Sequence, residues 1–433
     1  MKILLLTPGT GNFHCGSCLH DEVLVRGLRQ RGHDAAINAL YLPLVLDHKE
    51  GIDGDDVQMG GINMYLQTKS ALFRHAPAFV ERLLDRPGLL RKAANRADMT
   101  SPDELGRMTE QMLLGQSGKT QHEIDRLITH LQEEREQPDV VLLNNALLLG
   151  LAAPIADALN CKIACTLQGE DTFIDGLPDP WCDRVWSLLT DCAKRADAFL
   201  PVSNYHGRLM AERLSLPGEK LHVVYNGIET ERYPAQATSP DPPVIGYLAR
   251  LCETKGLGDL VDAYLLLHER GQLGDARLHL VGAATPKDAQ YVIAQFRRFY
   301  DAGLEDRVTI QKNVSFDEKV ASLQGMTVLS VPATYGESFG LYVLEANAVG
   351  IPVIEPDHAG LAEVIGQTGG GILYKPGNPS SLAEALATLL TDESRRKALG
   401  ETGRAAVLEK FSASAMSDSV ASVLETLCKA PSR

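Results

Sequence analysis

Residues 335–354 read YGESFGLYVLEANAVGIPVI. The stretch is apolar enough for a core, yet it holds two carboxylates, Glu337 and Glu345, and a Phe-Gly pair follows the first of them closely. TVLSVPA, just before it, reads as a strand, and residues 339–349 read as a helix. Glu337 then falls in a strand-to-helix loop at the carboxyl edge of a sheet, where open α/β folds bind ligands. Glu345 lies about two helical turns on, roughly 80° around and ~12 Å along the axis. At that separation the two carboxylates do not share a proton or a metal, but they suit two ends of one extended ligand.

The residues between them fit such a ligand. Gly340 lets it approach the backbone. The N–H groups of Ser338, Phe339, Gly340 and Leu341, at the start of the helix, suit phosphate or sugar oxygens. A carboxylate buried in an apolar helix is costly unless hydrogen-bonded, and a pair of ribose hydroxyls would supply the donors. The plainer alternative is one capping and one snorkelling glutamate.

The pattern extends in both directions. KILLLT, AAINALYL, DVVLLN, KIACTL and AFLPV in the first half, then VIGYLA, RLHLVG, RVTIQK, VLSVPA and PVIEP, are near-continuous apolar runs of the kind that parallel strands make when both faces are covered. Amphipathic segments such as CLHDEVLVRGLRQRGH alternate with them, and S-x-x-E boxes at Ser315–Glu318 and Ser381–Glu384 mark helix starts. Two doubly wound α/β domains follow. The seam is expected near Val202-Ser203, giving domains 1–203 and 204–411, with ATSPDPP at 237–243 the most linker-like composition. Residues 43–137 interrupt the alternation as a helical, polar insert. Within it Lys69, Arg74, Arg82, Arg86, Arg91, Lys92 and Arg96 face only Glu81 and Asp85, which reads as a solvated face or as a surface for an anionic acceptor or a lipid headgroup.

Composition excludes several classes. The chain has 433 residues, a formal charge of −14 and a pI near 5.4, which argues against nucleic-acid binding. MKILLLTPGTG has too short an apolar run for a signal peptide and reads as a first strand. No stretch approaches the ~20 apolar residues of a membrane span, so a cytoplasmic protein, or one peripheral at the inner membrane face through residues 69–96, is expected. The 8 scattered cysteines read as reduced thiols.

Three further motifs carry chemistry. In GYLARLCETKGL, residues 246–257, Arg250 follows a strand and Lys255 precedes a helix, a cation pair placed to neutralise a diphosphate unless both are simply surface charges. The first strand runs into a loop with Gly9, Gly11 and Gly16, suited to a phosphate. It is not G-x-G-x-x-G, because His14 takes the last position, and no acid ends the second strand to hold an NAD ribose. Other matches are weaker. Cys15-Gly-Ser-Cys18 resembles a redox or zinc motif in a chain too long for that fold. GQSGKT at 115–120 lacks the first P-loop glycine, Leu113 standing there, and Asp53-Gly-Asp55 follows no convincing strand.

In order along the chain, CGSCLHDEVLVRGLRQRGHDA, PVSNYHGRLMAERLSLPGEKLHVVYNGIETERY, IGYLARLCETKGL and YGESFGLYVLEANAVGIPVI with GLAEVI and GGGILY resemble the retaining family 4 glycosyltransferases and their E-x7-E signature. The resemblance implies the glycosyltransferase-B fold: two Rossmann-like domains facing a cleft, with the last helix, about 412–433, returning to the first domain. It implies transfer of a hexose from a UDP- or GDP-sugar to a hydroxyl acceptor (a glycan, a lipid-linked sugar or a small molecule), with no cofactor and no metal. Arg250 and Lys255 would bind the diphosphate, Glu345 the ribose, Glu337 and residues 338–341 the sugar, Gly16 a phosphate, and Val314 with Asn313 the base. Where many relatives carry a histidine, this chain has Gln168, which hydrogen-bonds but does not carry a proton, and acceptor identity stays open. The rivals are a nucleotide-sugar epimerase on the same fold and a nucleotide-sugar-binding protein without turnover.

Overall fold

The computed structural model describes residues 1–9, 16–42, 57, 59, 101–134 and 137–429. The chain divides into two compact units, Met1–Asn226 with Ala413–Arg433, and Gly227–Ser412.

The first unit is built on strands β1 (Lys2–Thr7), β2 (Asp34–Ala39), β3 (Val140–Leu143), β4 (Lys162–Leu167) and β5 (Ala198–Pro201). They form one parallel sheet in the order β2-β1-β3-β4-β5. Their unbroken apolar runs are explained by burial on both faces. Ile3, Leu5, Val140 and Leu142 pack with Leu24, Val25 and Leu28 of helix Gly16–Gln30 and with Met416, Val420 and Leu424 of the last helix, Ala413–Lys429. Leu4, Leu6, Val141 and Leu143 turn the other way, onto Ile124, Leu127, Trp181 and Leu189. Each such leucine contributes about 1.5–3 kcal/mol relative to an exposed one. Gly27 admits the last helix, since a Cβ there would stand 2.0 Å from Ser417 Oγ, and Arg31 ties the same helix down through Asp418 and Ser414.

The second unit contains β6 (Val244–Leu248), β7 (Arg277–Gly282), β8 (Val308–Lys312), β9 (Val328–Leu329), β10 (Val353–Pro356) and β11 (Gly371–Tyr374), parallel in the order β11-β10-β9-β6-β7-β8. The order reverses between β6 and β9, so the loops after these two strands open at the topological switch point.

The structure departs from the sequence expectations at several points. The seam falls at Asn226 rather than near Ser203. Ser203 caps helix Asn204–Leu214, and Phe199 pairs with Leu221, so the chain stays with the first sheet for another two dozen residues. β11 was not expected, because its run of glycines hides a four-residue strand. The expected strand VLSVPA is regular only at Val328–Leu329. The helix after Glu337 starts at Leu341, two residues late, with Gly340 as its N-cap at φ 88°. Ser315 and Glu318 do form a capping box. Ser381 does not: Asn378 caps that helix and Pro379 opens it. Of the insert, helices Pro102–Leu113 and Gln121–Glu134 are described. GQSGKT lies between these two helices rather than after a strand, and Thr120 Oγ1 donates to Gln111 O, so it has no phosphate-loop context. Residues 69–96, Asp53, Asp55 and Cys15 lie outside the described residues. Among the described residues no helix is long and apolar enough to cross a membrane.

Candidate functional site

The loop after β6 brings Arg250 and Lys255 to the switch point. Tyr247, fully buried on β6, holds it in shape by donating to Arg250 O at 2.8 Å and Lys255 O at 3.3 Å. Gly256 then turns the chain at φ 71° and lies so close to the loop after β9 that a Cβ would meet Pro332 O at 1.7 Å, so no larger residue fits there. Thr334 N donates to Thr254 O at 3.0 Å, tying the two loops together.

Lys255 and Glu337 meet across this junction. Lys255 Nζ is hydrogen-bonded to Glu337 Oε2 and to the Tyr335 hydroxyl, and Tyr335 in turn donates to Glu337 Oε2 at 2.8 Å. The ammonium also lies 5.0 Å from the Tyr335 ring centroid and 5.9 Å from that of Tyr342, within cation–π range. Burial and the Glu337 carboxylate push the Tyr335 hydroxyl up, so it stays a donor. Glu337 O accepts from Gly360 N at 2.9 Å, which pins the loop to the following helix. Arg250 differs: its side chain is half exposed and its nearest carboxylate is Asp288, at 3.8 Å.

Beneath this pair lies a carboxyl group that the sequence did not single out. Glu355, on β10, is fully buried; Oε1 accepts from Val331 N at 3.0 Å, while Oε2 and the neighbouring buried Tyr342 hydroxyl have no partner among the described residues. Burial pushes Glu355 well above the usual carboxylate range, with Glu337 adding to the shift.

Glu345, in helix Leu341–Val349, has a lysine of its own. Its Oε1 accepts from the Tyr233 hydroxyl at 2.8 Å and from Lys319 Nζ at 2.5 Å. The donors expected from a ligand are thus partly supplied by the protein. Lys319 belongs to helix Phe316–Gln324, which follows Val314 and the Ser315 cap at the end of β8. Lys319 carries no motif that would have marked it; Tyr233 closes the stretch PVSNYHGRLMAERLSLPGEKLHVVYNGIETERY on which the resemblance rests, but no role was read for it there.

The first unit carries Gly16, at the start of its first helix, and Gln168, after β4. Gly9 owes its φ of 80° to packing rather than to a ligand, since a Cβ would meet Leu42 O at 1.7 Å. Gln168 Nε2 donates to Asn144 O at 3.1 Å and to Thr166 Oγ1 at 3.3 Å. A buried carboxylate shapes this loop: Glu170 Oε2 accepts from Gln168 N and Gly169 N, and Oε1 from Ala146 N. Burial acts to raise Glu170, but the His206 contact and the backbone N–H groups outweigh it, and the group sits below its ordinary range. Among the described residues no three His, Cys, Asp or Glu side chains gather to hold a metal ion.

The class follows from the switch-point site and from two family matches. Residues 113–232 match the model described as Glycosyltransferase Family 4, and residues 229–406 the model described as Glycosyl transferases group 1. The chain belongs to the family 4 glycosyltransferases, and its two parallel-sheet units are those of the glycosyltransferase-B fold. Among its relatives it is 27% identical over 308 residues to the N-acetyl-alpha-D-glucosaminyl L-malate synthase of Bacillus anthracis, covering 68% of this chain and 75% of that protein. It is 29% identical over 236 residues to the D-inositol 3-phosphate glycosyltransferase of Paenarthrobacter aurescens, where the match spans only about half of each chain, 54%. Among solved structures, the fold is shared with sucrose-phosphate synthase from Thermosynechococcus elongatus, at TM-score 0.74 and 18% identity over 99% of this chain and 100% of that one. It is likewise shared with Anabaena HepE in complex with UDP, at TM-score 0.68 and 17% identity over 98% and 100%.

Proposed function

We propose that this protein transfers a hexose from a nucleotide diphosphate sugar to a hydroxyl acceptor, with retention at the anomeric carbon and without a metal. The observation that supports this most is the convergence of Arg250, Lys255 and Glu337 at one switch point. Breaking the anomeric C–O bond puts negative charge on the departing diphosphate and positive charge on the sugar ring. Arg250 and Lys255 neutralise the first; two fixed cations there act as preorganised electrostatic stabilisers. Glu337 positions the sugar, stabilises the second charge and holds Lys255 in place. The backbone from Ser338 to Leu341 faces the sugar and phosphate oxygens, Glu345 takes the ribose, and the base lies near Val314. Gln168 offers an amide where an imidazole would carry a proton, so no proton transfer is assigned to it.

The relatives' names widen the choice of donor and acceptor. They include a GDP-mannose-dependent mannosyltransferase of Mycobacterium tuberculosis, and HepE has been solved with UDP-glucose. UDP- and GDP-sugars are therefore the donors to try first, beside ADP-sugars. Thermal melting of the protein with each donor tests the reading. One base is expected to raise the melting temperature, and Glu345→Ala to abolish the rise. No rise with any donor, together with no nucleoside diphosphate released in the presence of hydroxyl acceptors, would overturn it.

A further inference from the structure

The half-buried pair Lys319–Glu345 has an uneven geometry. Both protein donors, Lys319 Nζ and the Tyr233 hydroxyl, end on the same carboxylate oxygen, Oε1. They are also bonded to each other, at 3.3 Å. Among the described residues no donor reaches Oε2. A carboxylate 14% exposed and loaded on one oxygen only is not arranged for its own stability, because a pair of this kind adds little to folding. It is arranged to fix the direction in which its second oxygen accepts.

The surroundings hold the two donors rigidly. Tyr233 packs edge-on against Phe316 with centroids 5.3 Å apart, and the Tyr233 carbonyl accepts from Arg404 at 3.0 Å. Lys319 Nζ lies 4.7 Å from the Phe316 centroid, and Arg232 stacks over the same ring at 3.5 Å. With one N–H spent on Glu345 and one on Tyr233, and its charge against an aromatic face, Lys319 is better placed to orient Glu345 than to bind a ligand itself.

We propose that Tyr233 and Lys319 are positioning residues for nucleotide recognition: they anchor Oε1 of Glu345 so that Oε2 accepts from the vicinal hydroxyls of a ribose, and so select ribonucleotides over deoxyribonucleotides. The inference rests on the assignment of Glu345 to the ribose. A ligand lacking a hydroxyl leaves a fixed, half-buried oxygen unpaired, and the penalty depends on that oxygen being unable to turn away.

The test is calorimetric titration of the full chain with UDP, GDP and ADP, each beside its 2′-deoxy counterpart. The wild type is expected to prefer one ribonucleotide over its deoxy form by about 10–100-fold, the value of a hydrogen bond to a charged group. Tyr233→Phe, which keeps the ring on Phe316, and Lys319→Met are expected to lower that ratio about tenfold or more, because the loosened carboxylate no longer enforces the choice. Arg250→Ala should weaken both forms equally and leave the ratio unchanged. Variants that weaken both forms by one factor with the ratio intact would show a merely structural pair and overturn the proposal. A wild type that binds the ribo and deoxy forms alike would overturn the assignment of Glu345 to the ribose, and one that binds no nucleotide would overturn the donor-site reading, the proposal falling with each.

Discussion

Lys255 and Glu337, 82 residues apart in the chain, form one ion pair at the switch point of the second sheet, with the Tyr335 hydroxyl bonded to both. The sequence suggested separate tasks for them, a phosphate for the lysine and a sugar for the glutamate. Their contact makes each a determinant of the other's position. A double-mutant cycle with Lys255→Ala and Glu337→Ala should therefore be non-additive in kcat/KM, with a coupling of about 0.5–3 kcal/mol. Additive losses would mean that the pair plays no joint part in turnover.

Arg250 is held more loosely: its side chain is 52% exposed and its ion pair with Asp288 is open, at 3.8 Å. Arg250→Ala is expected to cost roughly 10²–10³ in turnover if the guanidinium neutralises the leaving diphosphate. Stability should change by less than about 1 kcal/mol, the ceiling for an exposed pair. Steady-state kinetics beside a thermal melt separates the two effects, and an unchanged rate would remove Arg250 from the site.

Glu355 makes stability depend on pH in an unusual direction. Burial raises its folded-state pKa above the unfolded value, so the folded protein holds a proton that the unfolded chain releases. Its contribution is undiminished below the unfolded value of about 4.5 and is lost as pH rises toward the folded pKa. Glu355→Gln mimics the neutral form. It should raise the melting temperature at pH 8 by about 2 °C or more, what 1 kcal/mol produces in a domain of this size. The gain should vanish near pH 4.5, and equal gains at both pH values would refute this account.

The thiols offer a test of the core. Burial pushes Cys161 up to about 12 and Cys192 to about 11, and holds Cys165 well above its ordinary value. At pH 8 these three should resist iodoacetamide in the native protein and react after unfolding, because the thiolate is the nucleophile. Peptide mapping by mass spectrometry reads this directly; native labelling of Cys165 would contradict the packing of β4.

His206 is fully enclosed, with Nε2 accepting from Gly169 N at 3.1 Å and lying 3.4 Å from Glu170 Oε2. His206→Ala should destabilise the first unit by about 1–3 kcal/mol, because it removes one partner from Gly169 N and one from the Glu170 carboxylate at a buried site. Denaturant titration measures it, and a loss below about 0.5 kcal/mol would mean that water restores the contact.

Much of this was legible in the sequence because it is local. Alternation between covered apolar runs and helical periodicity depends on neighbours along the chain, so ten of the strand runs and the α/β class could be read before any contact was known. The spacing of Arg250 and Lys255, and of Glu337 and Glu345, likewise places each at a strand or helix end. What the tertiary structure decided is everything that joins distant segments. Strand order, and with it the switch point between β6 and β9, has no signature within either strand. β11 escaped because glycines conceal it, and the seam moved to Asn226 because helix Asn204–Leu214 stays with the first sheet. Glu345 owes its setting to Lys319, 26 residues away, and to Tyr233, 112 residues away. Hydrogen bonds act over a few ångströms in space whatever the distance along the chain. The sequence by itself therefore determined which groups stand at the carboxyl edge of the sheet, and only the folded chain decided which of them are already paired and on which carboxylate oxygen of Glu345 the protein's donors end.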